Sequence, residues 1–574
     1  MNKPLIKIEP SIHNILTILN KLGHQSLIVG GAVRDAVIGI EPKDIDIEVY
    51  KINYNDLCGF LLTHGKVDLV GKNFGVIVFT LHNSKLKYDF SVPRKENKIG
   101  VGHKDFEVMF DIDMTIKDAA ERRDFTFNAL AYDPLTDETY DFFGGLDDIK
   151  NKIIRHTSDK FKEDYLRIER AKQFQARLGF TIHPDTICIM KEMLSVPSET
   201  NIEANEFTFL PKERLFEEWM KWAEKGTRHD LIFKFMRDTD LIKYYPALEL
   251  LKNTPQDGLY HPEGDVEIHT ELCLTQIDRV IKENNITGTE KVILVMATLL
   301  HDIAKPATTE HKLKRGRMTI TSEGHEEMGG VIAREFLTSI GFHDDLITPI
   351  CNLIANHLAG VNISMITALS GRVKAVKKLS RRLHPATIQQ LLYVMDADTN
   401  GRDADLQDWN MRKIPTGANE IKDIAHTLTL TEKQYEYILM GRHLIEAGLK
   451  PSQEFGVILK ASYEAQEDGK FNDILGAKIW LNKYLNPDPF DYDLFNSDVK
   501  RNNRNHIIAL IVLMGLIIGL AFLSNMFCEI QFGKDRFLSY MITFTFVFLF
   551  AFPSLDYINH KFTLKKTRKD YLKK

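Results

Sequence analysis

The sequence predicts an α+β protein: a mixed-sheet head with helices, then an all-α neck and body, an all-α domain, and a two-helix transmembrane hairpin. Three observations carry this prediction. Short β-branched runs broken by glycine turns fill the first 150 residues. Helical patterns replace them from about residue 151 and bring a series of spaced histidines. Two apolar stretches, Ile507–Leu523 and Phe537–Phe552, follow a Pro/Asp/Asn-rich linker. The divisions read from these shifts are 1–150 (head), 151–255 (neck), 256–405 (histidine-rich domain), 406–485 (C-terminal helical module), 486–505 (linker), 506–558 (hairpin) and 559–574 (basic tail).

Composition narrows the classes. A hydrophobic fraction of 44% with 27% charged residues fits a globular chain of several domains. A net charge of −5 gives no overall basic signature, so any nucleic-acid contact must use local patches. The five cysteines are far apart and form no CxxC pair, which excludes a zinc-thiolate cluster of that type and fits a reducing cytoplasm. The N-terminus has no apolar signal core.

The chemistry of the head begins at Ser26. SLIV reads as a strand, Gly30-Gly31 as a turn that lets backbone approach a phosphate, and AVRDAVIGI as the helix whose N-terminus faces it. Lys43 to Val49 then alternates: Ile45, Ile47 and Val49 face one way, and Asp44, Asp46 and Glu48 the other. On the strand alone these acids would read as a solvated face. Two carboxylates one pleat apart can also hold Mg²⁺ for attack by a 3′-hydroxyl on a nucleotide. A second alternating strand, Lys87 to Val92, adds Asp89.

At this point the pattern GGAVRDAVIG…DIDIE resembles the first motif of class II tRNA nucleotidyltransferases and bacterial poly(A) polymerases. The resemblance continues in order through GKNFGVI, RRDFTFNAL, DFFGGLDDI, EDYLRIERAKQFQARLGF and LPKERLFEEW, covering roughly the first 230 residues. It implies a nucleotidyltransferase-type sheet with Asp44, Asp46 and Asp89 as catalytic carboxylates. It implies nucleotide contacts from Gly30, Gly31, Arg34, Arg123, Asp124, Asn128 and Arg170, and a helix whose Asp164 and Arg167 read base edges in place of a template, with Glu163 orienting the arginine. Three residues apart, Asp164 and Arg167 are expected on one helix face. LPKERLFEEW would brace that helix, and Lys95 to Lys117 would be the flexible loop that switches specificity from C to A. Asn73 before Phe74, where poly(A) polymerases carry a basic residue, looks more like the tRNA enzymes. Separate CC-only or A-only addition stays open.

The histidine-rich domain carries His261 and His269, then His301-Asp302, His325, His357 and Asp398 on successive helical segments. Imidazole and carboxylate ligands in this order suit a divalent metal such as Mn²⁺, Ni²⁺, Fe²⁺, Mg²⁺ or Zn²⁺, which activates water near neutral pH. The series resembles the HD phosphohydrolase superfamily, in the version fused to some bacterial tRNA nucleotidyltransferases. The resemblance implies His269, His301, Asp302 and Asp398 as core ligands, His325 and His357 as a second metal position, and 2′,3′-cyclic phosphodiesterase, 2′-nucleotidase and phosphatase activities. Arg372, Lys374, Lys377, Lys378, Arg381 and Arg382 form a basic helical cluster able to contact RNA phosphates.

The C-terminal hairpin is uncharged across Ile507–Leu523 and has a small-xxx-small pair, Gly515 and Gly519. Lys500, Arg501 and Arg504 precede it and seven Lys/Arg follow it, against Lys534 and Arg536 in the intervening loop, so both ends are expected in the cytoplasm. The expected protein is therefore a CCA-adding enzyme using tRNA, CTP, ATP and Mg²⁺, with a metal-dependent HD domain, at the cytoplasmic face of the cell membrane. Its rivals are a poly(A) polymerase, an HD hydrolase with a non-catalytic RNA-binding head, and a membrane-tethered adaptor without chemistry.

Overall fold

A computed structural model describes residues 6–69, 75–82, 86–98, 106–195, 205–314, 316–402 and 413–486. Asn73 and Phe74, the linker from residue 487, the apolar hairpin 506–558 and the basic tail lie outside these residues. Among the described residues no helix is long and apolar enough to cross a membrane. The chain divides into two compact units, the first ending at Tyr437 and the second beginning at Ile438. The helix Ala418–Thr427 buries Ile421 and Ala425 in the core of the first unit, so that unit extends past residue 406.

The head is built on strands β1 (Ser26–Val29), β2 (Asp46–Val49), β3 (Gly65–Asp68), β4 (Val76–Leu81), β5 (Lys87–Ser91), β6 (Arg94–Lys98), β7 (Phe106–Phe110), β8 (Ala131–Asp133) and β9 (Glu138–Tyr140). Seven of them form one sheet in the order β3-β4-β5-β2-β1-β8-β9. The β2–β5 pair is parallel and the other neighbours are antiparallel. The alternation of β2 works as expected: Ile47 and Val49 are fully buried, and they join Ile28, Ile77, Phe79 and Phe90 in the core. Asp46 begins the strand, and Asp44 stands just before it rather than within it.

The segment expected as a loop, Lys95 to Lys117, includes most of an antiparallel β6–β7 hairpin with Arg94 opposite Phe110. The backbone hydrogen bonds of this pairing replace the solvation that an open loop would need. The helix Ile116–Glu121 follows, capped by Thr115.

The neck is the helix Leu166–Leu178 packed on Lys212–Lys225, as LPKERLFEEW predicted. Trp219 and Trp222 are fully buried there. Lys172 Nζ sits 3.2 Å from the Trp219 ring centre and pairs with Glu169, whose carboxylate accepts from Tyr245 Oη at 2.6 Å. Burial pushes the Lys172 ammonium down to about 8, against the pull of Glu169.

The next domain is helical. Gly288–Leu300 is buried continuously from Lys291 to Leu300, which marks it as the central helix. Around it stand Val266–Asn284, Asp344–Ile354 and Ile388–Asn400, with His325–Ser339 packed on Asp344–Ile354. In the second unit, Gly441–Glu446, Glu454–Glu467 and Ile474–Leu485 enclose a small core of Leu444, Ile458, Phe471, Ala477 and Leu481.

Candidate active sites

In the head, sheet register builds an acidic row. Asp46 and Asp89 are direct partners across the parallel β2–β5 pair, and Asp89 N–H donates to the Ile45 carbonyl at 3.1 Å. Asp44 and Asp46 face solvent, while Asp89 is half-buried. Although Asp46 is exposed as a residue, partial loss of hydration around its carboxylate pushes it up, reinforced by Asp89, Asp44 and Glu48, with Arg123 opposing. Asp89 rises for the same reasons, burial first and then Asp44. Carboxylates crowded this way repel one another, and a cation between them removes that cost. The row therefore fits Mg²⁺.

The glycine turn lies beside the acids. Val29 is the register partner of Asp46, so Gly30 follows directly. Gly30 has φ 72°, ψ −129°, a conformation open to glycine, and an added Cβ would lie 2.7 Å from an Arg123 guanidinium nitrogen. Arg123 is 27% exposed and reaches Glu48 at 3.8 Å. The other expected nucleotide contacts are already engaged. Asn128 accepts from Arg34 at 2.6 Å and donates to Asp124 at 2.9 Å. Arg170 Nε donates to the other Asp124 oxygen at 2.7 Å, and its Nη1 lies 3.8 Å from Glu218. Burial opposes the Asp124 charge, but Arg170, Asn128 and Arg167 outweigh it and hold the carboxyl below its ordinary value.

Asp164 and Arg167 do not share a helix face. Asp164 is extended, ahead of the helix that starts at Leu166, and its carboxylate accepts from Leu166 N–H at 3.0 Å and from Arg214 at 2.8 Å. It satisfies a free N–H at the start of the helix from the residue ahead of it. Glu163 pairs with Arg122 rather than orienting Arg167. Arg167 is instead held by the carbonyls of Lys160 and Arg122, each at 2.7 Å. Planar guanidinium donors suit two carbonyls at once, and this leaves the side chain fixed.

In the helical domain the ligands converge. His301 Nδ1 faces the Thr298 carbonyl at 2.8 Å, His325 Nδ1 that of Ser322 at 2.6 Å, and His357 Nδ1 that of Ile354 at 2.7 Å. His269 Nδ1 faces Glu263 at 2.8 Å. Each acceptor places the proton on Nδ1 and leaves a lone pair on Nε2. Yet His269 Nε2 stands 3.3 Å from His301 Nε2, and His325 Nε2 stands 3.2 Å from His357 Nε2. Neutral imidazoles facing lone pair to lone pair do not bond to each other, but they suit a cation between them.

Asp302 divides the two pairs. Its Oδ2 lies 3.1 Å from His301 and 3.6 Å from His269, and its Oδ1 lies 3.4 Å from His325 and 3.9 Å from His357. Both oxygens are buried without a hydrogen-bond partner, although Lys305 Nζ is 2.7 Å from Oδ2 as an ion pair. Asp398 completes the first position, 3.2 Å from His269. Burial disfavours both carboxylates, and Lys305 beside Asp302 and Arg402 beside Asp398 supply positive charge that keeps them ionised. Buried orphan oxygens and opposed imidazoles fit one cation on each side of Asp302.

Residues 26–155 match the poly A polymerase head domain family, and residues 267–409 the HD domain family. The multifunctional CCA protein of Pasteurella multocida is 31% identical over 383 residues, covering 65% of this chain and 83% of the relative. The chain belongs to the multifunctional CCA protein family. The family's protein in Tolumonas auensis is 29% identical over 390 residues, 66% of this chain and 85% of the relative. The fold is shared with a crystal structure of the Bacillus stearothermophilus CCA-adding enzyme in complex with CTP, at TM-score 0.55 and 19% identity, covering 83% of this chain and 98% of that one.

Within this member of the multifunctional CCA protein family, several site residues escaped sequence reasoning. Glu263 joins His261 and His269, and Cys273 lies against His269. Cys273 follows His269 by four residues on one helix, the spacing that would have found it. Lys305 and Arg402 flank the carboxylates. The basic cluster lies on Leu369–Leu383, where Lys377 stacks on Tyr435 and Arg381 on Tyr437, while Lys378 and Arg382 are exposed.

Proposed function

We propose that this protein adds C, C and A to the 3′ end of tRNA from CTP and ATP at the head, and hydrolyses phosphate esters at the HD domain. The observation that carries the first activity is the in-register pair Asp46–Asp89, with Asp44 beside it and the Gly30-Gly31 turn adjoining. Bound Mg²⁺ supplies activation of the attacking 3′-hydroxyl and stabilisation of the pyrophosphate. Asp44, Asp46 and Asp89 hold it. Gly30 and Gly31 leave room for phosphate, and Arg123 offers a partly exposed cation to it. Asp124, Asn128, Arg34 and Arg170 act as a buried positioning chain rather than as direct contacts. Arg167, fixed by two carbonyls, and Asp164, fixed by Arg214, present base-reading groups at low entropic cost.

At the HD domain, His269, His301, Asp302 and Asp398 form one metal position, and His325, His357 and Asp302 a second. A divalent cation there, such as Mn²⁺, Ni²⁺ or Mg²⁺, supplies Lewis acidity toward a phosphoryl group. Lys305 and Arg402 favour an anionic substrate. The class implied by the family resemblance is 2′,3′-cyclic phosphates, 2′-nucleotides and phosphomonoesters. Arg372, Lys374, Lys377, Lys378, Arg381 and Arg382 form the RNA-facing helix. The segment 506–558 tethers the enzyme to the cytoplasmic face of the membrane, a reading supported by its uncharged first run and its basic flanks.

The test is end-sequencing of tRNA lacking its terminal three nucleotides after incubation with CTP, ATP, or both. The expected products are CC with CTP alone and CCA with both. A long A tail from ATP alone would favour a poly(A) polymerase instead.

A further inference from the structure

The first HD metal position holds a sulfur that the expected ligand pattern does not include. His269 and Cys273 stand one turn apart on Val266–Asn284, and both are fully buried. Cys273 Sγ lies 3.4 Å from His269 Nε2. The ligand atoms of His269, Cys273, His301 and Asp398 all lie within 4.8 Å of one another. A core cysteine packed only for volume would face apolar neighbours. This one faces two imidazoles and a carboxylate, and Asp302 beside them has both oxygens buried without a hydrogen bond.

The spacings fit a shared cation. Metal–sulfur bonds of about 2.3 Å and metal–nitrogen bonds of about 2.05 Å at a tetrahedral angle separate sulfur from nitrogen by about 3.6 Å and two nitrogens by about 3.3 Å. The corresponding distances are 3.4 Å for Cys273–His269 and 3.3 Å for His269–His301. Gly401 at the end of Ile388–Asn400 leaves room for the sulfur, since a Cβ there would lie 2.5 Å from Sγ.

We propose that Cys273 is a thiolate ligand of this position and biases the HD site toward thiophilic cations such as Co²⁺, Zn²⁺ or Fe²⁺ over Mg²⁺. On binding, the S–H bond breaks, the proton leaves to solvent, and the sulfur lone pair forms the metal bond. This rests on reading the HD cluster as a metal site.

The experiment titrates Co²⁺ into the metal-stripped full chain and records absorption. Wild type should show a thiolate-to-Co²⁺ charge-transfer band in the near ultraviolet together with ligand-field bands. Cys273→Ser should keep the ligand-field bands, lose the charge-transfer band and bind Co²⁺ at least about 10-fold more weakly. An unchanged near-ultraviolet band in Cys273→Ser overturns the proposal and leaves the metal site standing. No Co²⁺ binding by wild type overturns both. X-ray absorption of Co²⁺-loaded wild type needs no variant: a sulfur scatterer at about 2.3 Å supports the thiolate, and nitrogen and oxygen scatterers alone refute it.

Discussion

Replacing Arg170 by methionine tests the buried chain that joins the head to the neck. The substitution keeps a long, flexible stem and removes the guanidinium. Asp124, 7% exposed, would keep only Phe125 N–H and Asn128 as donors. Stranding one partner of a buried ion pair costs about 3–5 kcal/mol. The Arg170 side chain is 34% exposed, so water reaches this pair from one side and the expected loss falls to about 2–3 kcal/mol. Asp124→Asn strands the more exposed partner and should cost less. The two changes together should cost less than the sum of the singles, because neither charge is then left unpaired. Urea unfolding followed by intrinsic fluorescence, to which buried Trp219 and Trp222 contribute, measures all three. The pH dependence has a definite sign. Asp124 is depressed in the folded state, so its stabilisation is present above the ordinary carboxylate value of about 4 and is lost as pH falls through the folded value. The gap between wild type and Arg170→Met should narrow in that acid range. A loss under about 0.5 kcal/mol, or strict additivity in the double variant, would refute the coupling.

Arg167→Ala should lose discrimination among nucleotides more than basal transfer, seen as misincorporation with UTP or GTP; strict C-then-A addition by the variant would remove its base-reading role. Glu263→Gln weakens the acceptor on His269 Nδ1 and should lower HD metal affinity by about 10–100-fold in a competition titration, while nucleotide addition is unchanged. Unchanged affinity would make Glu263 a packing residue. The full-length chain should sediment with membranes and need detergent for release, and a chain ending at Asn486 should not; full-length protein in the high-speed supernatant would end the tether reading.

The head was legible where strand alternation and chemistry coincide. Asp46 and Asp89 could be picked because each sits between apolar neighbours in a period of two, Ile45 and Ile47 for Asp46 and Tyr88 and Phe90 for Asp89. Their pairing could not, since strand order and register depend on contacts between distant segments. The same holds for Asp124 and Asn128, whose engagement with Arg170 and Arg34 joins residues 46 and 94 positions apart. Helix starts shift by a residue or two with local capping, and that shift carries Asp164 off the face of Arg167. In the HD domain the ligands were visible as a series. Cys273 was legible only as the residue one helical turn after His269, and Glu263 was not, because it lies ahead of that helix and meets His269 only in the fold.

The central claim is that one chain carries two chemically independent metal sites. The direct measurement is a double dissociation with the full-length protein: Asp46→Asn and Asp302→Asn, each assayed for CCA addition to tRNA and for metal-dependent hydrolysis of a 2′,3′-cyclic nucleotide. Asp46→Asn should abolish addition and keep hydrolysis, and Asp302→Asn the reverse. Addition at wild-type rate by Asp46→Asn, or hydrolysis at wild-type rate by Asp302→Asn, would contradict the account.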